Sequence, residues 1–247
     1  MKSLMINISL LGSSGKMGKA ILKESKKFKD ISVIDALVHS KSKNLGKDSG
    51  KFHFNKKNGL IFKKDLSENT DLIIDFSNSK QLNSKIKFFK EYKKPVIFCS
   101  TGIDKKGEKQ LHDLSKLMPI FIAPNTSKNI FILAALLRDI NTSSTGYISI
   151  SEAHHKSKID RPSGTAIFLA NQVGIPKNKI KVTRNTSNKS IHKIKFILNG
   201  ETIEIKHTIN DRKVFAEGAL KIAKWFYQKP KKLYHMQTFI EELNGKK

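Results

Sequence analysis

The feature that most constrains the fold is a short apolar segment followed by a glycine-rich turn near the start of the chain. Met5–Leu11 is rich in leucine and isoleucine, which predicts a buried parallel strand. Three glycines spaced three apart follow, and Ile21 and Leu22 mark the helix that the turn opens. A tight turn, a close backbone approach and a helix N-terminus suit the pyrophosphate of a dinucleotide. The predicted contacts come from Gly12, Ser13, Ser14, Gly15, Lys16 and Met17.

More strands alternate with helical segments along the first half of the chain. This alternation predicts an α/β fold with a Rossmann-type, doubly wound parallel sheet that binds ligands along the carboxyl ends of its strands. Ser77 and Asn78 are predicted to cap a helix that reaches about Tyr92, whereas Leu45–Leu60 predicts an irregular loop. The later predicted strands lie within Ile31–Val38, Leu72–Phe76, Pro95–Gly102 and Ile120–Asn125.

The end of the second predicted strand bears on the choice of cofactor. Enzymes that use NAD commonly keep an acidic residue there for the ribose diol. This chain has His39, Ser40 and Lys41 instead. We therefore predict that the cofactor is NADPH and/or NADH and that His39 contacts it. The kcat/KM with NADPH should be at least as high as that with NADH. The alternative is that His39 and Lys41 are solvated loop residues.

The second half of the chain predicts an α+β domain with a mixed or antiparallel sheet. A helix is predicted from Ile130 to about Ile140 and a strand over Tyr147–Glu152. Asn199 and Gly200 predict a hairpin turn between Ile191–Leu198 and Thr202–Ile209. The helix predicted over 212–226 and the tail around 233–236 are expected to return to the first domain. The predicted dinucleotide-binding domain thus comprises residues 1–126 and 212–247, and the substrate and oligomerisation domain residues 127–211.

Residues 152–166 hold the densest group of reactive side chains. His154 and Lys158 are four apart, so a turn would bring two proton donors to one side. Ser163 is predicted to cap a helix that starts at an apolar run, and the free N–H groups of such a helix start suit a carboxylate or phosphate. The sequence therefore predicts an anionic substrate held at Ser163, Gly164 and Thr165, with proton donors on the preceding loop.

Each of these features also has an ordinary structural interpretation. A Ser-Gly-Thr helix start is often only a cap, and a single histidine is often a structural residue. The adjacent His154 and His155 beside Glu152 could bind a metal, but the His-x3-His spacing is absent and Cys99 is distant. No metal site is predicted.

The net charge of +26 raises the alternative of a nucleic-acid-binding protein. Only four of the 47 basic residues are arginines, and no basic run is interleaved with aromatic residues. No specific nucleic-acid partner is therefore expected. Cys99 is the one cysteine and no apolar run approaches the length of a membrane span, so a cytoplasmic protein without a membrane contact is expected.

Four segments resemble the 4-hydroxy-tetrahydrodipicolinate reductase (dihydrodipicolinate reductase) family. Residues 152–166 match its signature Glu-(Ala/Leu)-His-His-x-x-Lys-x-Asp-x-Pro-Ser-Gly-Thr-Ala. Residues 75–77, 100–102 and 123–125 match its Asp-Phe-(Thr/Ser), Thr-Thr-Gly and Ala-Pro-Asn turns. The resemblance implies further cofactor contacts from Phe76, Cys99, Ser100, Thr101, Ala123, Pro124, Asn125 and Thr126.

The resemblance also implies the reaction and the roles in it. The family reduces 4-hydroxy-tetrahydrodipicolinate, a small dicarboxylate, to tetrahydrodipicolinate in diaminopimelate and lysine biosynthesis, and it suggests a homotetramer. His154 would be the acid with Lys158 as its partner, while His155, Ser163, Gly164 and Thr165 would hold the carboxylates. Another nicotinamide oxidoreductase of amino-acid metabolism is the nearest alternative, but it would need a catalytic cysteine or lysine arrangement that we do not find.

The chain departs from the family pattern at several positions. Cys99 replaces a glycine and is expected to be a small buried residue, not a nucleophile. Arg161 replaces a common alanine and is expected to face solvent. Asn129 and Phe131 replace a glycine and an asparagine, and the segment 184–192 is shorter than the family loop. Closure of the substrate site is therefore expected to differ from that of relatives.

Overall fold

The computed structural model describes residues 5–78, 81–143, 146–156, 158–187, 189–243 and 245. It divides into two compact units, Met1–Thr126 with Lys213–Lys247 and Ser127–Arg212. The helices are α1 (Lys16–Glu24), α2 (Ser49–Phe54), α3 (Leu82–Tyr92), α4 (Lys105–Ser115), α5 (Lys128–Ser143), α6 (Gly164–Gln172), α7 (Lys213–Phe226) and α8 (Met236–Leu243). Among these described helices, none combines the length and the apolar character that crossing a membrane requires.

The strands form two separate sheets. Those of the first unit are β1–β6 and β11, and those of the second unit are β7–β10. In chain order the strands are β1 (Ile6–Leu11), β2 (Ile31–Leu37), β3 (Phe62–Lys63), β4 (Leu72–Asp75), β5 (Val96–Phe98), β6 (Ile120–Ile122), β7 (Tyr147–His155), β8 (Lys181–Asn185), β9 (Ser190–Leu198), β10 (Glu201–Ile209) and β11 (Leu233–His235).

The first unit contains the predicted parallel sheet. Its seven strands run in the order β3-β2-β1-β4-β5-β6-β11, and every pairing is parallel. The strand order reverses between β1 and β4, which is where doubly wound sheets open a crevice for ligands at the carboxyl ends of the strands. The tail returns to this sheet as predicted, because β11 pairs with β6.

Two glycines of the turn between β1 and α1 are required by close packing. Gly12 has a φ of +82°, and a Cβ there would lie 2.7 Å from the backbone nitrogen of Ser77. A Cβ on Gly18 would lie 2.1 Å from the carbonyl oxygen of Ser13. Gly12 therefore lets the first turn pass against the turn after β4, and Gly18 lets α1 pack against the turn that precedes it.

The second unit is a four-stranded mixed sheet with helices packed on one face. Its order is β10-β9-β7-β8, with β8 parallel to β7 and the other pairs antiparallel. The predicted hairpin is confirmed, since β9 and β10 pair along their whole length and Gly200 has a φ of +82°. Apolar residues from α5, α6, β7 and β9 form one core cluster that includes Leu137, Leu169 and Phe196.

One element predicted from the sequence is wrong, and another prediction falls partly outside the described residues. The segment Leu45–Leu60 contains the helix α2, because the Asp48 side chain accepts a hydrogen bond from the Lys51 N–H at 2.7 Å and caps it. Helix α3 is described from Leu82, and residues 79 and 80, which separate it from the predicted cap at Ser77 and Asn78, lie outside the described residues. The Ser77 N–H donates to the Asp75 carboxylate at 2.8 Å, which closes a local turn.

Candidate functional site

The centre of the candidate site is a pair of side chains on β7. The predicted loop begins later than expected, because the strand continues through His155 and carries both histidines. Alternation along a strand places Glu152 and His154 on one face and His155 on the other. The Nδ1 atom of His154 lies 3.3 Å from the Glu152 carboxylate, and the two side chains are 6% and 0% exposed. The contact is a close ion-pair distance, since Nδ1 of His154 has no partner in hydrogen-bond geometry among the described residues.

The Glu152 carboxylate connects His154 to two other segments of the unit. It accepts hydrogen bonds from the N–H of Ser163 at 3.1 Å and from the Ser163 hydroxyl. The Arg184 guanidinium lies 3.1 Å from Oε1, the oxygen that accepts the Ser163 N–H, whereas the hydroxyl donates to Oε2. Burial alone would raise the pKa of the Glu152 carboxyl, but the contacts with His154 and Ser163 outweigh it and hold the pKa at about 2. Glu152 is therefore a permanent anion behind the imidazole.

Ser163 caps α6 as predicted. Its hydroxyl accepts a hydrogen bond from the Ala166 N–H at 3.1 Å, while Gly164 is exposed and Thr165 half-buried in the first turn of the helix. The helix start already has an anionic neighbour, because the Asp160 carboxylate accepts the Gly164 N–H. Burial would raise the pKa of the Asp160 carboxyl, but Lys158 at 2.8 Å and these backbone contacts lower it below its ordinary value.

Arg184 holds the turn that carries Lys158. Its side chain donates to the carbonyl oxygens of Lys158 at 3.3 Å and of Asp160 at 2.5 Å. The Lys158 N–H donates to the His155 carbonyl at 3.1 Å. Lys158 is thus fixed at the end of β7, with its ammonium on Asp160. His155 lies on the face of β7 opposite to Glu152.

Sequence reasoning did not assign a role to His192 and His207. The pairing of β7, β9 and β10 places Glu152, His192 and His207 in register. The His192 ring lies 5.3 Å from the His154 ring and 5.8 Å from the His207 ring. His192 is 1% exposed, and neither ring nitrogen has a hydrogen-bond partner among the described residues. Burial, then the neighbouring His154 and His207, lower the pKa of His192 to about 3, so this imidazole is neutral at physiological pH.

The predicted cofactor residues of the first unit lie at the carboxyl edge of its sheet. Residues 12–15 form the turn between β1 and α1, and Lys16 and Met17 begin the helix. The N-terminus of α1 has neither a side-chain cap nor an acidic residue in its first turn. Uncapped N–H groups at such a helix start fit a pyrophosphate. Phe76 follows β4, residues 99–101 follow β5, and residues 123–126 follow β6. His39 is exposed in the loop after β2.

Several of these side chains already form hydrogen bonds with the protein backbone. The hydroxyls of Ser13 and Thr126 donate to the carbonyl oxygens of Leu37 and Phe215, at 2.8 and 2.7 Å. The Ser100 hydroxyl donates to the Ser77 carbonyl at 2.9 Å. Any cofactor contact from these three residues would therefore come mainly from the backbone.

Comparison with known proteins agrees with this geometry over both units. The sequence profile described as dihydrodipicolinate reductase, N-terminus, matches residues 6–126, and the one described as dihydrodipicolinate reductase, C-terminus, matches residues 129–240. The chain belongs to the dihydrodipicolinate reductase family. It is 34% identical over 261 residues to the 4-hydroxy-tetrahydrodipicolinate reductase of Clostridium tetani (strain Massachusetts / E88), with 96% of this chain and 98% of that protein covered.

Another relative and a solved structure agree with the family. The 4-hydroxy-tetrahydrodipicolinate reductase of Rickettsia peacockii (strain Rustic) is 31% identical over 256 residues, covering 96% of this chain and all of that protein. The dipicolinate-bound dihydrodipicolinate reductase from Paenisporosarcina sp. TG-14 superposes with a TM-score of 0.68 at 19% identity, covering 94% of this chain and 98% of that one. That structural likeness shows the shared fold. The chain is a nicotinamide-dependent oxidoreductase, as its family is.

The departures from the family pattern have clear places in the structure. Cys99 is buried at the end of β5, and burial raises the pKa of its thiol well above the ordinary value, so it is no nucleophile. Arg161 is exposed. Asn129 is exposed and Phe131 half-buried, both in the first turns of α5.

The ligand atoms of Glu152, His154 and His192 all lie within 4.8 Å of one another, which is close enough for three metal ligands. The surroundings argue against a divalent cation there. The Arg184 cation lies 3.1 Å from one oxygen of Glu152, and the Ser163 hydroxyl and His154 occupy the other. A metal would have to displace these contacts while lying close to a buried positive charge. These contacts therefore argue against metal binding by this group of described residues.

The low pKa of His192 makes the stability of the fold depend on pH. An unfolded histidine takes up a proton near pH 6.5, whereas folded His192 does so only near pH 3. The free energy of unfolding is therefore unaffected by protonation of His192 above about pH 6.5. As the pH falls from there toward 3, the free energy of unfolding decreases by about 1.4 kcal/mol per pH unit. Between pH 7 and pH 5, we expect the free energy of unfolding to fall by about 2 kcal/mol less in His192→Phe than in the original chain.

Urea unfolding of both proteins at the two pH values measures this difference. The matched control is His112→Gln, which changes an imidazole that is 60% exposed and should keep the original pH dependence. Equal pH dependence of His192→Phe and the original chain would show that His192 is not held neutral by the fold.

Proposed function

We propose that this chain catalyses the NAD(P)H-dependent reduction of 4-hydroxy-tetrahydrodipicolinate to tetrahydrodipicolinate, in diaminopimelate and lysine biosynthesis. The observation that carries the proposal is the Glu152 carboxylate, which binds both His154 and Ser163. One anion thus fixes a proton donor next to a helix start that suits a carboxylate. The substrate is inferred from the names of the relatives, and this geometry explains why these residues would take part in the reaction.

The first unit would bind the nicotinamide cofactor. The pyrophosphate would lie at the uncapped N-terminus of α1. Its contacts would come from the turn residues Gly12, Ser13, Ser14 and Gly15 and from Lys16 and Met17 at the start of the helix. The turns with Phe76, 99–101 and 123–126 would line the nicotinamide side. When bound, the cofactor supplies the hydride for the substrate's C4.

The second unit would supply the proton. The 4-hydroxyl group must first leave as water, which makes C4 part of a conjugated system. Addition of hydride to C4 then leaves a carbanion or enamine, and the proposed proton donor is His154. Glu152 would stabilise the protonated imidazole, because its carboxylate lies 3.3 Å from Nδ1. Lys158 would stabilise the developing negative charge and supply or relay the proton. General acid catalysis of this kind contributes roughly a hundredfold to ten-thousandfold.

The substrate carboxylates would bind at Ser163, Gly164, Thr165 and His155. The Asp160 carboxylate now interacts with both Lys158 and the Gly164 N–H, the two groups that a substrate carboxylate would need. We therefore infer that substrate binding replaces Asp160 at one or both of them. His154 is 4% exposed, so its side chain would also have to become accessible when the substrate binds.

Removing the Thr165 hydroxyl tests the carboxylate site. We expect Thr165→Ala to raise the substrate KM with little change in kcat, because the hydroxyl would contact the ground state and the transition state equally. Thr165→Ser keeps the hydroxyl and should restore the original KM. Steady-state kinetics at saturating cofactor gives both constants, and an unchanged KM in Thr165→Ala would remove Thr165 from the carboxylate site.

The cofactor preference is proposed from the end of β2. The carboxylate of Asp35 in that strand is 0% exposed and binds Ser9 and Ser67, so it is not available to a ribose. His39 and Lys41 are exposed beyond the strand. NADPH should therefore give a kcat/KM at least equal to that of NADH. A strong preference for NADH in the same assay would contradict this arrangement.

A direct assay tests the proposed function. Freshly prepared 4-hydroxy-tetrahydrodipicolinate should cause the purified chain to consume NADPH or NADH, measured as loss of absorbance from the reduced cofactor. The rate should be saturable in substrate and absent when the substrate is omitted. If neither cofactor is consumed by a correctly folded preparation, the proposal fails.

We further propose that the chain works in the cytoplasm as a homotetramer that associates through the uncovered face of the second sheet. Tyr147 and Ile197 are paired neighbours on that face and are 66% and 43% exposed. Exposed apolar neighbours of this kind favour a protein contact. Light scattering on the purified protein would give the mass of the assembly.

A further inference from the structure

A buried lysine of the first unit contacts two of the turns proposed to line the nicotinamide. Lys85 lies on α3 and is 6% exposed. Its Nζ atom is 2.6 Å from the Asp75 carboxylate, 3.0 Å from the Ser100 hydroxyl and 4.4 Å from the centre of the Phe98 ring. Asp75 ends β4, and Ser100 follows β5, the neighbouring parallel strand.

The contacts of Lys85 join these two turns into one hydrogen-bonded group. The second oxygen of Asp75 accepts the Ser77 N–H at 2.8 Å, and the Ser100 hydroxyl donates to the Ser77 carbonyl at 2.9 Å. Both polar groups of the Ser77 backbone are therefore held by residues that Lys85 contacts. The backbone of Ser77 also lies against Gly12, where a Cβ would be 2.7 Å away. The turn after β1 thus packs on the same group.

Stability alone does not explain this ion pair. Asp75 is 0% exposed, and taking both charges out of water costs several kcal/mol, which apolar side chains of similar volume would avoid. What the pair provides is geometry, because an ammonium with three donors can hold two acceptors from separate strands at fixed distances.

We propose that Lys85 is a positioning residue for the nicotinamide half of the cofactor. It acts through Asp75 and Ser100, which set the backbone of Phe76, Ser77 and Thr101 where the nicotinamide would lie. The inference rests on the proposed function and deepens it. It also separates the two halves of the cofactor, since the contacts of Lys85 lie after β4 and β5 and not at the adenosine side after β2.

The test removes the charge without leaving Asp75 unpaired. Lys85→Met alone would leave a buried carboxylate without its cation and is expected to unfold much of the protein. The double variant Lys85→Met with Asp75→Asn is uncharged and keeps an acceptor for the Ser77 N–H. Lys87→Met is the matched control, because Lys87 is exposed on the same helix. Thermal unfolding would show that the double variant is folded.

Cofactor affinity is measured by fluorescence titration with NADPH, and affinity for the adenosine half by calorimetry with adenosine 2′,5′-bisphosphate. In the folded double variant we expect NADPH to bind about tenfold more weakly or worse, since small displacements of positioning groups have large effects, while the bisphosphate binds as before. Lys87→Met should match the original chain with both probes. An unchanged NADPH affinity, or an equal loss for both probes, would overturn the role of Lys85. If the original chain binds neither NADPH nor NADH, the proposed function itself fails.

Discussion

Replacing His154 with glutamine should lower kcat by about a hundredfold to ten-thousandfold, the range that general acid catalysis contributes. Glutamine is similar in size and still forms hydrogen bonds, but it cannot donate a proton as an acid. The affinity for NADPH or NADH should stay close to the original, because the predicted cofactor contacts lie in the other unit. Lys158→Ala should lower kcat in the same direction, since it removes the cation next to the proposed donor.

Steady-state kinetics and cofactor titration together measure this result. His112→Gln is the matched control, because it changes an exposed histidine and should leave kcat unaltered. A His154→Gln enzyme with near-normal kcat would remove His154 from the role of acid. A parallel loss of cofactor affinity would indicate a general structural defect instead.

Glu152→Gln should reduce both kcat and stability, because Glu152 has two distinct partners. Loss of the negative charge removes the group that stabilises protonated His154, and kcat should fall by about a hundredfold or more, as when a carboxylate that orients a catalytic histidine is neutralised. The Arg184 cation, with a side chain 9% exposed, would lose its counterion. Leaving such a charge unpaired should lower the free energy of unfolding by roughly 3 kcal/mol.

A double-mutant cycle with Arg184→Met separates the two effects. Urea unfolding of the single and double variants should show that the double variant recovers part of the stability lost in Glu152→Gln, because no charge then remains unpaired. Its kcat should stay low, since His154 still lacks the carboxylate. Recovery of kcat together with stability would mean that Glu152 serves only the fold.

The sequence carried enough information for the architecture and for the central residues of the site. The glycine turn after β1, the capping role of Ser163 and the Asn199-Gly200 hairpin all rest on local rules that the structure obeys. The pairing of His192 with His207 was within reach too. A two-residue turn at 199–200 places these residues opposite each other, and only the register needed to be counted.

Other parts depend on contacts between distant segments, which local patterns do not specify. Lys85 resembles any other lysine on a helix, and only the packing of α3 on the sheet buries it beside Asp75. Arg184 meets Glu152 because β8 lies beside β7. The six-residue helix α2 was not predicted because its segment, Leu45–Leu60, is rich in loop-forming residues. Its start depends on a single cap, the Asp48 side chain. The contacts of Lys85 and Arg184 are cases in which tertiary packing outweighs propensity, whereas α2 depends on a local cap.

The position of β11 has a consequence for synthesis on the ribosome. Strand β6 stays an open edge until residues 233–235 have been made, whereas residues 127–212 form a continuous unit. The nascent chain can therefore finish its second unit while its first still lacks a strand, which reverses the usual N-terminal-first order. An unpaired edge is prone to pairing with other chains, so translation that stops before the tail should yield an aggregating product.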